Sequence, residues 1–87
     1  MKTGDVVMSL KGHDSGKLYV VVAAEKEFVF LCDGKNKLLK NPKKKKIKHL
    51  KETGKSVNLS LYNPLYDAHI RKELKIASKS VDTIICL

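Results

Sequence analysis

The chain has 87 residues, 43% of them hydrophobic and 31% charged, with 18 Lys+Arg against 9 Asp+Glu. A chain this short buries only roughly 60% of its unfolded surface, enough for one core and no second domain, while its patterned apolar runs exclude a fully disordered basic tail. Residues 35–55 carry ten lysines against Glu52 alone and so account for the whole net charge of +9, and no run reaches the ~18 apolar residues of a membrane span.

Residues 5–10 form a β-branched apolar run that ends in Lys11-Gly12-His13-Asp14-Ser15-Gly16. The run resumes after Lys17 as Leu18-Tyr19-Val20-Val21-Val22-Ala23-Ala24, which predicts two strands around a glycine-bearing loop. Phe28, Phe30 and Cys32 then alternate with Val29 and Leu31 before Asp33-Gly34, a dipeptide suited to a tight hairpin turn. Leu38-Leu39 and residues 47–50 give two weaker strands separated by Asn41-Pro42. Because the second and third strands are apolar on both faces, a small closed or nearly closed barrel is expected, and the SH3-like barrel is the smallest that fits.

Val57, Leu59 and Leu61 alternate with Ser56, Asn58, Ser60 and Tyr62, as in a half-buried strand packed on that barrel. Asn63-Pro64 reads as a helix start, with Asn63 as N-cap and Asp67 near the positive end of the dipole. The helix is predicted over residues 65–78, with Tyr66, Ile70, Leu74, Ala77 and Val81 as its buried stripe and Arg71, Lys75 and Lys79 as a basic row. The expected architecture is one mostly β domain over 1–87. Residues 1–51 form the barrel, and residues 52–87 supply a strand, one C-terminal α-helix and an apolar tail packed on it.

The succession Gly4-Asp5-Val6-Val7, Gly12-His13-Asp14-Ser15-Gly16-Lys17 and Leu18-Tyr19-Val20-Val21-Val22 resembles the KOW motif of ribosomal proteins and transcription elongation factors. That motif is a strand, a loop with a fixed glycine, here Gly16, and a second strand. With Asp33-Gly34, Pro42 followed by a basic-apolar strand to Leu50, and a closing basic helix, the chain resembles the eukaryotic-type large-subunit ribosomal protein family numbered fourteen. It looks like the small stand-alone relatives of that family found in bacteria. The resemblance implies an SH3-like (KOW) barrel that binds RNA, with ribosomal RNA or the ribosome as partner.

The residues support that expectation on their own terms. A loop with two glycines, Gly12 and Gly16, lets backbone N–H groups approach a phosphate, with Lys11, His13 and Lys17 as nearby donors; the plainer alternative is a permissive turn flanked by solvated lysines. Lys43, Lys44, Lys45 and Lys46, with Lys37, Lys40 and Lys48, give the strongest electrostatic signal. They form either a solvated loop or a phosphate-binding surface anchored beside the core by Ile47 and Leu50. Arg71, Lys75 and Lys79 extend this surface. Lysine is a point charge that positions a protein on a backbone without reading bases. Tyr19, Tyr62 and Tyr66 fit the core better than a base platform, so shape-based recognition of folded RNA is favoured over single strands.

No enzymatic site is expected. Gly54-Lys55-Ser56 matches the end of a phosphate-binding P-loop, but His49 stands where that motif needs glycine, so the segment reads as a turn. His13, His49 and His69 are scattered without a cysteine pair, so no metal or cofactor is expected. Cys32 and Cys86 lie far apart, and no leader or lipidation signal is read, which fits free thiols in a reducing cytoplasm. The alternative reading is an SH3-like protein-interaction module whose lysines are solubilising or steering charge, with a partner docking at Ile84-Ile85-Cys86-Leu87. DNA binding in a nucleoid-like role ranks third, because no recognition helix with base-reading side chains is present.

Overall fold

A computed structural model of the chain describes residues 1–13 and 15–85, with side chains through residue 79. The elements are β1 (Asp5–Ser9), β2 (Leu18–Ala24), β3 (Phe28–Cys32), β4 (Lys43–Lys46), β5 (Leu50–Ser56) and α1 (Asp67–Ile85), with short 3-10 turns at Ile47–His49 and Leu59–Leu61. The strands form one antiparallel sheet in the order β4-β3-β2-β1-β5. Laid flat, β4 and β5 would be separated by four interstrand steps of about 4.8 Å, or about 19 Å. They are joined through Ile47–His49 alone, so Lys46 and Leu50 stand at most about 14 Å apart. The sheet therefore curls until its ends approach, and the fold is a small, mostly β, SH3-like barrel with one C-terminal helix.

Curling explains why both faces of the inner strands are apolar. Val7, Tyr19, Val21, Val29, Leu31 and Leu50 point inward and fill the barrel. Their neighbours Val6, Val20 and Cys32 point outward and are covered by Ile70, Leu74 and Ala77 of α1 together with Val57. Ile70 is completely buried, which contributes roughly 2 kcal/mol relative to an exposed side chain. Two cores thus share one sheet, and the helix is the lid of the second.

The structure corrects the sequence reading at several places. Asp33-Gly34 is not a two-residue hairpin: Asp33 Oδ1 accepts the N–H groups of Lys35, Asn36 and Lys37 at 2.9, 2.9 and 2.8 Å and organises a longer loop to β4. Leu38 makes only an isolated bridge to Asn41. The predicted strand at 47–50 is the 3-10 turn leading into β5, and the lysine run before it is itself the strand β4. Gly54-Lys55-Ser56 lies in β5 rather than in a turn; the β1–β5 register shifts between Asp5 and Val7, and Gly54 takes φ 81° at that irregularity.

Alternation at 56–62 also misleads. Val57 is buried and donates its N–H to Gly4 O at 2.7 Å, but Asn58 then caps the 3-10 turn Leu59–Leu61, and Leu61 is 76% exposed. The helix starts at Asp67, not 65, because His69 Nδ1 accepts the Tyr66 N–H at 3.0 Å. This is one half of a capping box, placing Tyr66 at the N-cap in place of Asn63. Tyr66 is consequently 61% exposed and leaves the predicted stripe, which is Ile70, Leu74 and Ala77. Val81's side chain and the tail residues Cys86 and Leu87 lie outside what the structure describes.

Candidate functional site

The loop between β1 and β2 is fixed at its base and open at its tip. Ser9 N–H donates to Lys17 O at 3.0 Å, Gly16 N–H to Ser9 O at 2.8 Å, and Leu10 N–H to His49 O at 3.0 Å. Gly16 has φ 85°, and a Cβ there would meet no atom within 4 Å. The glycine is required by its backbone angle, not by crowding, and the surface around it stays open. Lys11, Gly12, His13, Gly16 and Lys17 are all exposed.

On β4 the four lysines divide by strand alternation. Lys46 pairs with Phe28 and Lys44 with Phe30, and both lysines are exposed; Lys45 pairs with Val29 and Lys43 with Leu31, and both are half-buried. The Lys45 ammonium crosses the rim of the barrel to donate to the buried Ser9 Oγ and to Lys11 O, the latter at 3.1 Å. Lys45 therefore braces the Gly12–Gly16 loop, whereas Lys44 and Lys46 face outward.

These pieces form two basic grooves that meet at the loop. One, of about 700 Å³, is lined by Lys11, Gly12 and His13 together with Lys37 and Lys43–Lys46. The other, of about 820 Å³, is lined by Gly16 and Lys17 together with Lys35, Arg71, Lys72 and Lys75. The loop's first half belongs to one groove and its second half to the other. Lys40 and Lys79 line neither of these grooves, and Lys48 borders a separate depression beside Glu27 and Ile47. Phe28, His49, Lys35, Asn36 and Lys72 also line the two grooves, and residue type and spacing alone do not single them out as site residues. Lys35 was visible within the lysine-rich stretch and Lys72 beside Arg71, but nothing in the linear pattern joined either to Gly16.

The helix side of the second groove is held by close packing. Arg71 donates to Gly34 O, and Asp67 Oδ1 accepts the Leu39 N–H at 2.8 Å. A Cβ on Gly34, whose φ is 76°, would lie 2.4 Å from Asp67 O. The Asp33 loop and the first turn of α1 thus touch without room for a side chain.

Burial and neighbouring charge shift two groups near the site. His49 is pushed below its ordinary value by desolvation and then by Lys11, Lys48, Lys46 and Lys45. Burial, followed by the carboxylates of Asp67 and Asp33, pushes the Cys32 thiol up to about 11. Cys32 is a buried free thiol in the helix-side core and is therefore unreactive as a nucleophile. Among the described residues no cluster of His, Cys, Asp and Glu has the composition of a metal site, and no helix is long and apolar enough to cross a membrane. What remains is a pair of exposed, positively charged grooves around an open backbone loop, suited to holding an extended anion. Comparison with known proteins finds no family model that matches this chain and no curated protein that matches it.

Proposed function

We propose that this chain binds folded RNA through the phosphate backbone, using the Gly12–Gly16 loop as the point from which two basic grooves diverge. The observation that carries the reading is that one short loop supplies residues to both grooves, so Lys44 and Lys46 on one side and Arg71 and Lys75 on the other address a single ligand. Two diverging tracks suit a ligand that presents two backbone segments, as a duplex or a folded RNA does. The KOW-like pattern of residues 4–22 supports RNA over other polyanions and points to ribosomal RNA or a ribosome-associated role in the cytoplasm. No catalytic step is part of this reading.

Contact with about five phosphates predicts that log affinity falls against log salt with a slope of roughly −4. Replacing Lys44 and Lys46 by Gln, or separately Arg71 and Lys75 by Gln, should each reduce that slope by about 1.5 to 2. Filter binding of a structured RNA across a salt series measures it. A flat salt dependence, or a slope that neither double substitution changes, rules the reading out.

A second reading, a protein-interaction module, draws on the exposure of Leu61, Tyr66 and Ile76, at 76%, 61% and 54%. Partners that persist after ribonuclease treatment and are lost on Leu61→Ser with Tyr66→Ser would favour it.

A further inference from the structure

The outer face of β3 holds two aromatic rings that neither core explains. Val29 and Leu31 face into the barrel, and Cys32 faces α1. Phe28 and Phe30 lie on the alternate face of the strand, are only partly buried, and belong to neither buried cluster. Their cross-strand partners are the two outward lysines of β4, Lys46 and Lys44. The Lys44 ammonium lies 4.5 Å from the centre of the Phe28 ring and 6.0 Å from that of Phe30.

From this arrangement we infer a stacking site for an unpaired nucleobase on the outer face of β3–β4, centred on Phe28. The inference rests on the RNA-binding reading and adds the feature of the RNA that is recognised. Every base has a π-face, and an aromatic side chain beside a cationic track is the recurrent device for holding bases that are not already stacked in a helix. Phe28 lines the same groove as Lys11, Gly12 and Lys44, so a backbone held by those residues carries its base past the ring. Lys44 then moves from the ring to the flanking phosphate, exchanging a cation–π contact for a charge-assisted one. An uninterrupted duplex keeps its bases stacked and cannot use the site. The preferred ligand is therefore a folded RNA with an unpaired nucleotide, in a bulge or a loop, next to a helix.

The test uses the full chain and two hairpin RNAs that differ only in one bulged 2-aminopurine. The bulged hairpin should bind about tenfold more tightly, and its fluorescence should be quenched on binding. Phe28→Leu should abolish the preference and the quenching, so that the bulged and the paired hairpin bind alike. Phe28→Tyr should restore both, which excludes simple unfolding as the cause. Equal binding of the two hairpins by the native chain, or an undiminished preference in Phe28→Leu, overturns the stacking site while leaving backbone binding intact. Failure of the native chain to bind either hairpin in a salt-dependent way overturns the RNA reading and this inference with it.

Discussion

The two basic surfaces of this domain are built on different periods, and the difference decides what their charges can do. On β4 four consecutive lysines alternate, so that Lys44 and Lys46 face outward while Lys45 is used to tie Ser9 and Lys11 O across the barrel rim. On α1 the basic residues Arg71 and Lys75 are spaced by one helical turn and line one groove together. A run of charge on a strand is thus halved by geometry, whereas spaced charge on a helix is gathered. Charge counted along a sequence overestimates a binding surface in the first case and underestimates it in the second.

The comparison can be broken most severely at Gly34. Because its Cβ would collide with Asp67 O and its φ is positive, Gly34→Ala should destabilise the domain by about 3 kcal/mol. The melting temperature should then fall by on the order of 15 °C. Thermal melts followed by circular dichroism measure it. A shift of only a few degrees would mean that the loop and helix are not locked together as described.

A smaller effect distinguishes alternate lysines of β4. Lys45→Met removes a charged donor from the buried Ser9 and should lower stability by about 1 kcal/mol. Lys44→Met should leave stability nearly unchanged and reduce the salt slope of RNA binding by about 0.9. Urea unfolding and salt titrations of the two variants would give opposite patterns, and identical behaviour would remove the distinction between bracing and contacting lysines.

The smallest effect reads the field of the β4 groove without mutation. His49 is held below its ordinary value of 6.5 partly by four lysines. Phosphates that neutralise those lysines should raise its pKa, so binding takes up protons and strengthens as pH falls through the interval between the free and bound values. In the free protein the sign is reversed: a depressed folded-state pKa means that stability falls as pH drops below 6.5. Ring-proton titration of His49 by NMR, with and without RNA, checks both. An unmoved pKa on binding would place the ligand away from this groove.

How much of this was legible in the sequence depended on whether the chain's local preference agreed with its partners. β1, β2 and β3 were readable because β-branched and aromatic runs fill both a barrel interior and a helix-covered face, and the helix was readable from Ile70, Leu74 and Ala77. β4 was not. Lysine has little preference for strands, and Lys43–Lys46 become one because β3 offers a ladder for them. Residues 56–62 failed in the opposite direction: their alternation was genuine, but Gly4 O and the Asn58 cap draw the chain into a turn. The candidate residues of the loop and the lysine run were found from type and glycine spacing. Their division into two grooves, and the presence of Phe28 in one of them, depended on strand register, which no single segment encodes.

The position of β4 has one more consequence. It stands at the end of the hydrogen-bonded order, where a strand of neutral residues would offer a template for another chain to add to the sheet and begin an aggregate. The outward charges of Lys44 and Lys46 make such an approach by a second copy repulsive. On the proposed function, the stretch that would draw an anionic ligand inward would also keep identical molecules apart. That protection weakens as salt rises, so under the proposed function solubility and affinity would share a single electrostatic control.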